Sequence, residues 1–156
     1  MRKKGNEKYA ELLMFTGVPN CDGYSTKRII QEVHLENQTV VSKLDCDLGY
    51  IHINKQGRSK EFDLVKSRFE KSSKKLFARC DENLSEIVRF GTPTSSFLKK
   101  NGIRLTFLTE KGNYSISGDL KELDKRKIIG QTITHFLNLM ELTNPGGIKK
   151  IIKNSK

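Results

Sequence analysis

The stretch RIIQEVHLENQTVVSKLDC, residues 28–46, most constrains the fold, because apolar and polar residues alternate on both sides of a turn-forming centre. A period of two belongs to strands with one buried face. A two-residue loop at Asn37-Gln38 pairs Leu35 with Val40, Val33 with Ser42 and Ile29 with Cys46. The opposite face then sets Glu32 across from Lys43, an opposed charge pair that supports the same register. Ile29, Ile30 and Val33 also fit one face of a helix over 26–35, so the pattern leaves both readings open. YIHINK (50–55) alternates like a third strand and ends at Gln56-Gly57.

Downstream the period lengthens. Ser59 can cap a helix with Glu61 and Asp63 in its first turn, where the helix dipole favours acids. Phe62, Val65, Phe69, Ser73, Leu76 and Cys80 then trace one helical face. LSEIVRF (84–90) fits either helix or strand, and GTPTSSFLKKNG (91–102) fits a Thr-Pro helix start or a strand entering an Asn-Gly turn. IRLTFLTEKGNYSIS (103–117) reads as a second hairpin, with a loop at Lys111-Gly112 placing Phe107 opposite Ile116 and Thr109 opposite Tyr114. Asp119 with Glu122 makes a capping-box pattern. Leu123, Ile129, Ile133, Phe136, Leu137 and Met140 supply the buried stripe of the last helix, which ends before Thr143-Asn144-Pro145. The expected fold class is α+β: an antiparallel sheet of two hairpin or meander units packed against a central basic helix and a C-terminal helix. The expected organisation is a flexible basic arm (1–8), one domain (9–144), in which Tyr9–Phe15 reads as a strand or a short helix, and a basic tail (145–156).

The 156 residues carry a formal net charge of +11. Its distribution matters more than its size. Residues 1–8 contribute +3, residues 145–156 contribute +4, and residues 55–80 contribute +6, so the remainder is slightly acidic. Segregated charge of this kind favours a binding surface over general solubility. No apolar run approaches the roughly 18 residues of a membrane span, and Leu12 to Phe15 is too short for a signal-peptide core. Cys21, Cys46 and Cys80 are odd in number and widely spaced, which predicts reduced thiols and a cytoplasmic or organelle-interior location.

Enzymatic patterns are sparse. The chain contains no GxxxxGK[ST] and no GxGxxG, and its three histidines, His34, His52 and His135, do not form HExxH. A metal site from His34, Cys46 and His52 is disfavoured because the hairpin register puts Cys46 and His34 on opposite faces. Asp45-Cys46-Asp47 is a DxD, whose aspartates would share one side of a strand and could hold Mg²⁺ in a nuclease. Asp119-Leu120-Lys121 has DxK spacing, but a helix cap explains it. No cofactor or metal is expected. Cys80 reads as core.

GRSKEFDLVKSRFEK (57–71) resembles, over about a tenth of the chain, the Gly-x-Ser-Lys-Lys run that opens the second helix of double-stranded-RNA-binding domains. Glu61 stands where that pattern has its second Lys, and Val65 and Phe69 replace its small residues. Three strands, a helix and two strands also resemble the order of an OB-fold, which implies binding of single strands or oligosaccharides. With a leading helix the same order resembles small secretion chaperones, which are typically acidic.

The expected function is non-catalytic nucleic-acid binding within a nucleoprotein assembly. Lys60, Lys71, Lys74, Lys75 and Arg79 would present their charges from one helix face, with Lys66 and Arg68 at its flanks. Arg2, Lys3, Lys4, Lys149, Lys150 and Lys153 would add contacts from the tails. Tyr50, Tyr114 and Phe107 are candidates for base stacking, or for the core. The alternatives are an assembly factor or secretion-chaperone-like module binding an acidic protein or an anionic membrane surface, and a Mg²⁺-dependent nuclease using Asp45 and Asp47.

Overall fold

The computed structural model describes residues 16–35, 38–54, 59–93 and 98–140. Four strands come first: β1 (Thr26–Leu35), β2 (Gln38–Asp45), β3 (Gly49–Asn54) and β4 (Ser59–Asp63). Helices α1 (Glu70–Glu82) and α2 (Leu84–Ile87) follow, then strands β5 (Gly102–Thr109) and β6 (Gly112–Asp119), and helices α3 (Leu120–Leu123) and α4 (Lys127–Met140). The strands form one antiparallel sheet in the order β4-β3-β2-β1-β5-β6. The α+β architecture with a central and a C-terminal helix therefore holds. The sheet keeps two edges, unlike a closed OB-fold barrel.

Both expected hairpins form, each with its pairing shifted by two residues. Leu35 pairs with Gln38, Val33 with Val40 and Ile29 with Leu44, and Glu32 lies opposite Val41 rather than Lys43. In the second hairpin Thr109 pairs with Gly112 and Phe107 with Tyr114. A shift of two leaves every side chain on its expected face, so the hydrophobic pattern is satisfied equally by both registers. Local chemistry decides the second. The Thr109 hydroxyl accepts from the Lys111 amide and donates to the Gly112 carbonyl, closing the turn over Glu110-Lys111. Gly112 has φ +138°, a conformation that Cβ-bearing residues rarely adopt.

One face of the sheet carries the main core. Ile29, Val33, Leu44, Tyr50, Ile103, Leu105 and Phe107 meet Leu76, Phe77 and Cys80 of α1 and Ile129, Ile133 and Phe136 of α4. Each fully buried aliphatic or aromatic side chain contributes roughly 1.5–3 kcal/mol. Phe107 and Tyr50 are therefore core residues, with Tyr114 packed at the margin, and none of the three forms an open stacking platform. The other face holds a smaller cluster of Ile30, Val41, Ile53 and Leu108, against which Val18 packs.

The helix expected from Ser59 starts later. Residues 59–63 are an edge strand in which Tyr50 faces Phe62 and His52 faces Lys60. Phe62 packs beside the core from that strand, the same inward position a helix would have given it. A turn in which Lys66 has φ +63° then leads into α1. The ambiguous 84–90 stretch contains the short helix α2. The last helix is divided: Asp119 caps α3 by accepting from the Lys121 amide, residues 124–126 intervene, and α4 begins at Lys127. Gly130 permits this join, because a Cβ there would overlap the Asp124 carbonyl oxygen, while its amide donates to the Arg126 carbonyl at 2.6 Å.

Cys21 and Cys46 form a disulfide with Cα atoms 6.1 Å apart. This corrects the expectation of three reduced thiols, and such a bond belongs to a non-reducing setting. Only Cys80 is free, and it is buried. Burial, reinforced by the Asp81 charge, pushes its thiol pKa up. Among the described residues no helix is long and apolar enough to cross a membrane. The arms at 1–8 and 145–156, and the Tyr9–Phe15 element, lie outside the described residues.

Candidate nucleic-acid interface

The structure separates internal cations from exposed ones, a distinction the sequence alone does not make. Lys27, 8 % exposed, donates to the Cys21 and Tyr24 carbonyls and lies 3.3 Å from Glu110. Arg28, 3 % exposed, grips Asp45 through Nε at 2.6 Å and Nη2 at 3.1 Å, and donates to the Thr16 and Gly17 carbonyls. Arg104, 4 % exposed, reaches Glu32 at 2.9 Å. Burial raises the Glu32 pKa and the Arg104 charge opposes that rise. These three cations fasten the strands and the 16–25 loop, and their charge is spent inside.

Among the exposed cations, one group lies on and just before α1. Ser73, Leu76, Phe77 and Cys80 are the buried side of that helix. Lys71 and Lys75 lie one turn apart on the opposite side, both exposed. Glu82 continues their line at the helix end. Lys74 and Arg79 flank it on opposite sides; Lys74 is 3.6 Å from Glu70, and Arg79 is half-buried. Lys66 and Arg68 are exposed in the preceding turn, the Arg68 guanidinium 4.8 Å from the Phe69 ring centre. Among the described residues no carboxylate pairs with Lys66, Lys71 or Lys75. Lys60 is on β4 rather than on the helix, exposed and opposite His52. Burial, with a smaller contribution from the Lys60 charge, lowers the His52 pKa.

The expected common helix face is thus narrower than the sequence implied. Lys71 and Lys75 form its centre, Lys66 and Arg68 extend it along the chain, and Lys60 is on a separate element. The six tail cations, Arg2, Lys3, Lys4, Lys149, Lys150 and Lys153, lie outside the described residues.

A second group of cations escaped the sequence reading. Lys125, Arg126 and Lys127 are exposed at the junction of α3 and α4. They border an open groove of about 500 Å³ that continues along α4 past Gln131, Thr134 and Asn138. The signal was present as a Lys-Arg-Lys run, but a run inside a presumed continuous helix reads as a solvated face.

The metal and nuclease arrangements do not assemble. Cys46 is bonded to Cys21. The strand registers place His34 and His52 on opposite sheet faces, with His34 Nδ1 3.0 Å from the Thr39 hydroxyl and His52 Nδ1 2.8 Å from the Tyr50 hydroxyl. Asp45 is held by Arg28, with Lys43 at 3.7 Å. Asp47 stands beyond the strand end and accepts from the Gly49 amide. The two aspartates therefore do not share one strand face. Among the described residues no group of three His, Cys, Asp or Glu side chains is placed to hold a metal ion.

No family model, curated protein or solved structure matches this chain.

Proposed function

We propose that this protein binds nucleic acid without catalysis, through phosphate contacts made by Lys66, Arg68, Lys71 and Lys75, as a component of a nucleoprotein assembly. One observation carries the reading: these cations are exposed, Lys71 and Lys75 one helical turn apart and Lys66 and Arg68 in the turn just before them, and among the described residues no carboxylate pairs with Lys66, Lys71 or Lys75. The buried cations elsewhere are consumed by internal partners. Four exposed cations in a row attract a polyanion by releasing its condensed counterions. Three of the four are lysines, point charges that suit phosphate oxygens rather than the bidentate readout of base edges for which arginine is preferred. Lys74 and Arg79 widen the patch, Lys60 adds charge from the sheet edge, and the basic arm and tail supply further contacts. The core below the patch is closed, so binding is superficial and tolerant of sequence.

The test is a binding titration of the wild type and of the Lys71→Glu/Lys75→Glu variant against RNA and DNA. The variant should keep its thermal stability and lose affinity uniformly across sequences. Retained affinity would remove the patch from the interface. Binding to an acidic protein with no binding to nucleic acid would move the function to the assembly-factor reading.

A further inference from the structure

The outward side of α4 bears an open groove that the phosphate patch does not use. Its floor is the outward line Lys127, Gln131, Thr134 and Asn138, spaced at helical intervals and covering about 16 Å at 1.5 Å per residue. Lys125 and Arg126 stand at one end beside Lys127. Near the other end His135 meets α1: the Ser73 hydroxyl is 2.8 Å from His135 Nε2, and the Phe69 ring lies edge-on at 6.5 Å. Arg68 lies over the same Phe69 ring. The groove thus carries an exposed cation cluster at one end and amide and hydroxyl groups along its length, and Arg68 lies beyond it, over the Phe69 ring that His135 meets. Asp124 is its single acidic lining residue, and Arg126 is shared with Glu86 at 3.4 Å.

From this arrangement we infer that the α4 groove is the path of a single-stranded nucleic acid, its phosphates held by Lys125 and Lys127 at one end and by Arg68 beyond the other. The inference rests on the nucleic-acid reading above and specifies strandedness and route. Thr134 and Asn138 offer donors and acceptors to the edges of unpaired bases, whereas Gln131 Oε1 is itself buried; in a duplex those edges are already hydrogen-bonded to each other. The groove is shallow and open, about 500 Å³, so a few unpaired nucleotides can lie along it with their base edges turned toward α4. His135 stays neutral at neutral pH and contributes no charge to the path.

Fluorescence anisotropy with a labelled 12-nucleotide single strand and its duplex tests this on the intact chain. Thr134→Glu puts a carboxylate at an exposed position mid-groove, and a circular-dichroism melt checks that the variant is folded. Lys125→Gln/Lys127→Gln provides a second, milder variant. The wild type should prefer the single strand by about tenfold, and Thr134→Glu should erase that preference while leaving the weaker duplex affinity in place. Equal binding of single strand and duplex by the wild type overturns the groove. So does unchanged single-strand binding in both variants, while sensitivity to Lys71→Glu/Lys75→Glu in that same case leaves the phosphate-patch reading standing. A wild type that binds neither form overturns both.

Discussion

Ser73 Oγ and His135 Nε2 lie 2.8 Å apart between the two long helices, each residue buried. The pair joins α1, which carries the proposed phosphate patch, to α4, which carries the groove. It gives the helix pair a polar contact of fixed geometry inside an otherwise apolar layer.

Burial of that histidine makes stability depend on pH. Burial lowers the His135 pKa to about 4, whereas the unfolded residue titrates near 6.5. Between these values the unfolded chain takes up the proton and the folded chain does not. The contribution is complete above about pH 6.5 and is lost as pH falls toward 4, amounting to roughly 3 kcal/mol. His52, also lowered by burial, acts in the same direction. Thermal melts between pH 7.5 and 4.5 (about three units apart) should show a falling Tm that flattens in His135→Gln. An unchanged slope in that variant would assign the acid sensitivity elsewhere.

Cys21 and Cys46 are 25 residues apart in sequence, and closing a loop of that length stabilises the fold by about 3 kcal/mol through the unfolded state. Reduction, or Cys21→Ser/Cys46→Ser, should lower the unfolding free energy by that amount and steepen the denaturant slope, because the unlinked unfolded chain exposes more surface. Cys80 should resist thiol reagents until the chain unfolds, because it is 0 % exposed and its thiol stays protonated. Urea titrations read the first, and intact-mass analysis before and after alkylation reads the second.

Asp45→Asn should destabilise the fold by about 3 kcal/mol, since it leaves the buried Arg28 guanidinium without its charged partner. The paired change Arg28→Met/Asp45→Leu should recover part of the loss, as buried ion pairs often exchange for apolar residues at small cost. Urea titrations of the three proteins decide this. Loss of a Mg²⁺-dependent nuclease activity in Asp45→Asn, with stability unchanged, would instead restore the catalytic reading of that residue.

Gly130→Ala should cost about 2 kcal/mol, because the new methyl group overlaps the Asp124 carbonyl oxygen at the α3–α4 join. The shift needed to relieve it moves Lys125–Lys127, so single-strand affinity should fall as well. A variant of native stability and affinity would show that the join tolerates a side chain.

The sequence patterns were most informative where periodicity and side-chain chemistry agreed. The alternation in β1, β2, β5 and β6 assigned each residue to its face, yet it could not fix register, because pairing Val33 with Ser42 or with Val40 buries the same set. Phe62, Val65 and Phe69 fit a helix and also fit a short edge strand followed by a turn; only the pairing of Tyr50 with Phe62 across β3 and β4 separates these. The disulfide was hidden because nothing local brings Cys21 to Cys46. That proximity depends on Lys27 and Arg28 pinning the 16–20 and 21–24 backbone to the sheet. Lys71 and Lys75 were legible as a charged face, whereas Lys125–Lys127 became a cluster only through the break before α4.

Salt dependence of nucleic-acid affinity tests the phosphate patch most directly. Anisotropy titrations of the wild type and Lys71→Glu/Lys75→Glu at about 50 and about 200 mM salt, with heparin as a competing polyanion, provide it. The account predicts steep weakening with salt in the wild type, a slope shallower by about two in the double variant, and nucleic acid preferred over heparin. Equal slopes in the two proteins, or binding to heparin alone, would contradict it.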